Sequence, residues 1–158
     1  MSDEVALSIQ KLIEVSRISR LISRYCLLFD DQNWGELFEL WTPDASFVVG
    51  EKRFDGRDAL MNFLSNCLPP GYQSKHMISP PMIEISEDMH SASCKTDVVW
   101  ISGEFKVVIV ARYEDEVSCV ADRWVFKQRT EVPMQFSLGP PPMSDAANSV
   151  SSSTMRKL

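Results

Sequence analysis

Two side chains in this 158-residue chain have the type and setting for acid–base chemistry: Asp30 and His76. A histidine takes and returns a proton near neutral pH, and a carboxylate beside it fixes its tautomer and steadies its cation. Asp30 stands at the end of a long amphipathic pattern, where Asp30-Asp31-Gln32-Asn33 breaks the periodicity. His76 opens an extended segment after the breaker Leu68-Pro69-Pro70-Gly71. Each also has a plainer explanation. A carboxylate after a helix often makes a local turn hydrogen bond, which is the reading for Asp31, and a strand-start histidine is readily satisfied by backbone. His90, in the polar run Asp88-Met89-His90-Ser91, reads as solvated.

Other chemistries find little support. No serine or cysteine sits in a nucleophile motif and no glycine loop cradles phosphate, so acid–base work without a cofactor is expected. Cysteines 26, 67, 94 and 119 form no C-x-x-C pair and read as buried, reduced thiols of a cytoplasmic protein. With only two histidines and scattered cysteines, no metal site is expected.

The elements that must position Asp30 and His76 follow from periodicity. Over 5–29, Ile9, Leu12, Ile13, Ile18, Leu21, Ile22, Tyr25 and Phe29 recur at threes and fours, with Arg17, Arg20 and Arg24 opposite: a long amphipathic helix. Asn33 and Glu36 resemble a capping box for a short second helix carrying Trp34, Leu37, Phe38 and Trp41 and ended by Thr42-Pro43-Asp44. A strand over 45–49 turns near Gly50 and returns through Phe54, and a third helix over 59–67 turns Leu60, Phe63 and Leu64 inward. Strands follow over 76–85, 91–101, 104–120 and 124–132, the first interrupted by Pro80-Pro81 at a bulge or an edge. Alternation puts Ala92, Cys94, Thr96, Val98 and Trp100 on one face, and Phe105, Val107, Ile109, Ala111 and Tyr113 on another. Arg112 is expected to pair with Glu114 or Glu116 on the outer face.

This order implies an α+β fold, a twisted antiparallel sheet curled around the long first helix with a ligand cavity between. The expected domain is 1–134, with a Pro/Ser-rich tail over 135–158. A net charge of −6 with scattered Lys and Arg argues against nucleic-acid or anionic-membrane partners. No stretch has the apolar length of a membrane span, and the acidic N-terminus is unlike a secretory signal.

The runs Arg24-Tyr25-Cys26-Leu27-Leu28-Phe29-Asp30, Thr42-Pro43-Asp44-Ala45, Phe54-Asp55-Gly56-Arg57-Asp58-Ala59-Leu60, Lys75-His76-Met77-Ile78 and Ala111-Arg112-Tyr113-Glu114-Asp115 resemble a SnoaL-like protein of the nuclear-transport-factor-2-like superfamily. The resemblance spans residues 8–132 and implies a cone-shaped, cystatin-like α+β roll. Its nearest enzymatic comparison is the scytalone-dehydratase-like branch. There Asp30 matches a pocket aspartate, His76 a catalytic histidine and Tyr113 a pocket-facing position. Phe29 stands where that branch has a carbonyl-orienting tyrosine, and Trp100 where it has a second pocket histidine, so scytalone itself is not the expected substrate.

The resemblance thus implies that Asp30 orients His76, and that His76 removes a proton from carbon and returns it to a departing hydroxyl. Tyr25, Tyr72 or Tyr113 would donate to a developing oxyanion, while Phe29, Trp100, Tyr72, Met77 and Val98 would contact the substrate. The expected function is a cofactor-independent dehydratase-type lyase or an isomerase acting on a small apolar, aromatic or polycyclic molecule. The alternatives are a non-catalytic subunit like the small subunit of ring-hydroxylating dioxygenases, and a cyclase or epoxide hydrolase on the same scaffold. Val108 and Val110 on the outer sheet face suggest a homodimer or homotrimer.

Overall fold

The long helix runs from Asp3 to Asp30 (α1) in the structure, a computed structural model that describes residues 3–104 and 106–134. Ile18, Ile22, Tyr25 and Phe29 are buried along one stripe, each worth roughly 1.5–3 kcal/mol as a buried apolar side chain. The first turns behave differently from the periodic expectation: Ile9, Leu12 and Ile13 are exposed, because the helix starts before the sheet that covers it. Contact begins at Glu14, whose Oε2 accepts the Trp124 indole N–H at 2.7 Å. Arg17 then bonds Asp122 of the same hairpin.

α1 ends in a Schellman motif. The Asn33 N–H reaches the Leu28 carbonyl at 2.8 Å and the Gln32 N–H the Phe29 carbonyl at 3.0 Å, with Gln32 left-handed at φ +52. Asn33 then caps α2 (Trp34–Phe38): its side-chain oxygen accepts the Glu36 N–H at 3.3 Å while its amide donates to the Glu36 carboxylate at 3.0 Å. Trp41 is not on this helix. It opens β1 (Trp41–Val49), whose register against β7 jumps from Trp41↔Phe126 to Ser46↔Gln128 and so bulges around Pro43, which has no N–H to give. β2 (Lys52–Asp55) returns antiparallel to β1, and α3 (Arg57–Asn66) packs Leu60 and Leu64 inward.

Pro80-Pro81 splits the segment expected over 76–85 into β3 (Ser74–Ile78) and β4 (Met82–Ile85), which lie end to end along the outer edge of β5 (Ser91–Ser102). β6 (Val107–Val120) and β7 (Arg123–Pro133) complete a seven-stranded sheet of order β2-β1-β7-β6-β5-β3, antiparallel except for the β1–β7 pair. The β6–β7 loop is the two residues Ala121 and Asp122, both at positive φ, which matches the twist of the strands it joins.

Two bulges reverse side-chain alternation. Val108 is extra against β5, since Trp100 pairs with Ile109 and Ile101 with Val107, so Val107 is 59% exposed rather than inward. Lys127 is extra against β6, between the pairs Glu116↔Gln128 and Val117↔Phe126. Phe126 therefore points inward, as do Arg129 and Glu131.

Arg112 pairs with its cross-strand neighbour Asp97 at 2.7 Å, not with Glu114 or Glu116. All four cysteines are free; Cys26 and Cys94 are buried as expected, but Cys67 is exposed and Cys119 half-buried. Among the described residues no helix is long and apolar enough to cross a membrane. Phe105 and the expected tail over 135–158 lie outside the described residues.

Candidate active site

Asp30 is the last residue of α1, and His76 is the middle residue of β3. The chain between them is held to the helix end by Gln32. Its side-chain amide donates to the Pro69 and Tyr72 carbonyls at 3.0 and 3.2 Å and accepts the Gly71 N–H at 2.8 Å. A left-handed C′ position usually favours glycine; here glutamine occupies it and its side chain fastens the Pro-Pro-Gly loop.

The Asp30 carboxylate then grips His76 twice. Oδ1 lies 2.7 Å from ring Nδ1, and Oδ2 accepts the His76 backbone N–H at 2.9 Å. Ser74 Oγ at 3.5 Å and Lys75 Nζ at 3.5 Å complete the carboxylate's surroundings. The two side chains are 2% and 3% exposed, so the contact is dry. A carboxylate partner assigns the proton to Nδ1 and leaves the Nε2 lone pair free.

Four aromatic rings enclose the imidazole. Phe29 and Tyr25 meet it edge-on at 5.1 and 6.3 Å between centroids, Trp100 stacks at 5.8 Å, and Tyr113 lies tilted at 6.5 Å. Beside them is a cavity of about 100 Å³ lined by these residues, by Phe47 and Val49 of β1, Phe63 and Leu64 of α3, Cys67, Ile109 and Glu131. The Trp100 indole N–H is buried with no acceptor among the described residues.

Of the residues singled out in the sequence, Tyr25, Phe29, His76, Trp100 and Tyr113 line this cavity, and Asp30 backs His76. Three others do not. Met77 follows His76 on the strand, so it points to the outer face and is 60% exposed. Val98 faces inward but is 1% exposed among core side chains away from the cavity. Tyr72 sits in a separate surface hollow with Gln32, Gly71 and Lys75, on the far side of Asp30.

Sequence reading missed Glu131 and the buried pair behind it. Arg129, fully buried, donates to both Asp115 oxygens at 2.7 and 2.8 Å, and its guanidinium lies 4.1 and 4.0 Å from the Tyr25 and Tyr113 ring centres. Burial works against that charge, but the Asp115 carboxylate outweighs it and holds the guanidinium protonated. Simple alternation from Trp124 and Phe126 would have turned Arg129 and Glu131 outward; the bulge at Lys127 turns them in.

Burial raises the Tyr25 and Tyr113 phenols well above their ordinary range, with Arg129 only partly offsetting it, so both remain donors. Burial likewise pushes the Cys26 thiol up to about 11 and raises Cys67, which keeps neither poised as a thiolate. Glu131 is also raised, by burial first and against the pull of Arg129. Among the described residues no three His, Cys, Asp or Glu side chains gather as a metal-binding group.

A long helix in the hollow of a curved sheet is a cystatin-like α+β fold. The chain belongs to the SnoaL-like domain family, whose model matches residues 10–130. Among solved structures it is similar to a candidate scytalone dehydratase from Novosphingobium aromaticivorans DSM 12444, with 19% identity, 87% of this chain and 99% of that chain covered and a TM-score of 0.71. It is similar to a hexachlorocyclohexane dehydrochlorinase, LinA type 2, at 20% identity, 86% and 99% coverage and a TM-score of 0.68. A third, the β subunit of a candidate aromatic-ring-hydroxylating dioxygenase from N. aromaticivorans DSM 12444, has 15% identity, 83% and 95% coverage and a TM-score of 0.68. At these identities the likeness is one of fold. A search of the curated proteins finds no match.

Proposed function

We propose that the protein is a cofactor-independent lyase or isomerase in which Asp30 orients His76 and His76 moves a proton on a small, largely apolar substrate. The observation that carries this reading is the dry 2.7 Å contact between His76 Nδ1 and Asp30 Oδ1 beside the aromatic cavity. With Nδ1–H committed to the carboxylate, Nε2 is the basic atom, and it takes a proton from a substrate carbon. In an elimination the C–H electron pair becomes the new C=C bond and the bond to the leaving group breaks with its electrons. Where the leaving group is hydroxyl, the imidazolium returns the proton and water departs. In an isomerisation the same proton goes back to a different carbon. Tyr25 and Tyr113 lie at the cavity as protonated phenols suited to a developing oxyanion.

The dehydratase and dehydrochlorinase among the structural neighbours are both named for eliminations, which favours the lyase form of this reading. A non-catalytic subunit gives no reason for a dry carboxylate–histidine pair at a cavity. The cavity's size favours a single ring, and a polycyclic substrate would require Phe63 and Leu64 of α3 to move aside.

Incubating the protein with metabolite extracts in D2O and following masses tests this. Elimination appears as loss of a small neutral molecule, isomerisation as deuterium uptake at unchanged composition. A substrate altered only by oxidation, reduction or group transfer would refute the proposal.

A further inference from the structure

Among the described residues six buried side-chain polar atoms have no hydrogen-bond partner, and only one of them, Trp100 Nε1, belongs to a residue that lines the cavity beside His76. An indole N–H donates and cannot accept, and a buried indole ordinarily finds an acceptor, as Trp124 does in Glu14. Leaving the donor unmet costs stability, and whatever brings an oxygen to it relieves that cost. Trp100 also stands where an oxygen would be of use. It pairs with His76 of β3 on one side and with Ile109 of β6 on the other, so the three form one row along the cavity wall. Its ring stacks on the imidazole at 27° with 5.8 Å between centroids, and Phe29 meets it edge-on at 5.9 Å.

We propose that Trp100 is the specificity residue of this site: its indole N–H donates a hydrogen bond to a carbonyl oxygen on a single-ring substrate and so sets the neighbouring ring carbon against His76. This rests on the reading of the cavity as a substrate site, and it narrows the substrate to a cyclic carbonyl compound. An apolar ring of the same size cannot make this bond, so the N–H selects by the oxygen rather than by shape. A carbonyl suits a base that works on carbon, because it acidifies the adjacent C–H and the bond to its oxygen strengthens as charge moves there. Net charge is not the selecting property. Arg129 holds Asp115 with Nε and Nη2 but leaves Nη1 free beside the Tyr25 and Tyr113 rings, and the Glu131 carboxyl lies on the same cavity, so groups of both signs are at hand.

Cyclohexanone and methylenecyclohexane are suitable probes, since they differ by one acceptor oxygen at nearly equal shape. Their affinities are read by calorimetry, and the Trp100 indole N–H by proton–nitrogen NMR, its resonance assigned through its contacts to the His76 and Phe29 rings. In wild type, cyclohexanone should move that resonance downfield and methylenecyclohexane should not. Trp100→Phe keeps an aromatic ring and removes the N–H. In this variant the ratio of the two affinities should fall about tenfold, the worth of one hydrogen bond at a buried site. A merely structural role for Trp100 would weaken both ligands alike and leave the ratio unchanged. Circular dichroism checks the fold of the variant, and the wild-type resonance decides the matter should it not fold. The proposal is overturned if cyclohexanone binds without moving the resonance, or if the ratio in Trp100→Phe matches wild type; either result leaves the cavity standing as a ligand site. Binding of neither probe to the wild-type protein would end both readings. Failure of the dyad's own variants to affect turnover would leave the binding result standing.

Discussion

Asp30 binds one residue through two different groups: one oxygen takes the His76 ring N–H and the other its backbone N–H. The ring is thereby tied to the strand that carries it, and a rotamer change would leave a buried carboxylate oxygen without its charged-group hydrogen bond. Nothing in the residue types could show this double grip, although the pair itself was legible once the family pattern had singled out both positions. Glu131 offers a test at the same scale that needs no substrate. Its acid form is favoured in the fold, so its folded pKa lies above the unfolded one. Such a group contributes stability below the unfolded value, near pH 4.3, and loses it as pH rises through the folded value. Glu131→Gln should therefore melt higher than wild type at about pH 8, and the two curves should converge below roughly pH 4. A gap between the melting temperatures that stays constant with pH would contradict the assigned burial.

At the scale of elements, the helices and most strands were legible because their apolar spacing is local. What escaped was whatever depends on a distant partner. Trp41 continues the helical spacing of Trp34, Leu37 and Phe38, yet pairs with Phe126 in a parallel strand far along the chain. The extra residues Val108 and Lys127 reverse the alternation of β6 and β7, so Val107 faces out while Arg129 and Glu131 face in. A period of two carries no sign of a bulge until the neighbouring strand is known. The β5–β6 turn bears directly on the site, since a Cβ at Gly103 would come 2.9 Å from the Gln73 carbonyl oxygen, just before β3. Gly103→Ala must push Gln73 away and with it the strand holding His76. We expect a cost of about 1–3 kcal/mol in denaturant melts, as for overpacking generally, together with reduced turnover. Unchanged stability and turnover would show that β3 is not seated against this turn.

For the whole molecule, the sheet has two unlike faces. The inner face holds the core and cavity, while the outer face exposes Met77, Val107, Val108 and Val132 near the end of the sheet that carries His76. Apolar side chains clustered on one sheet face suit association with a second copy, and we expect two or three chains per particle by analytical ultracentrifugation, with Val108→Lys shifting the particle toward monomer. A strict monomer at all concentrations would contradict this. The fold's order of elements was readable from one sequence because each element declares its own period; the substrate was not, because the cavity draws side chains from α1, β1, α3, β3, β5, β6 and β7 at once. The central claim, that Asp30 and His76 act together in proton transfer, is most directly tested by comparing turnover in wild type, Asp30→Asn and His76→Ala on one substrate from the extract screen. Each variant should lose about 10²–10⁴-fold in kcat with its fold intact. Wild-type turnover in both variants would contradict it.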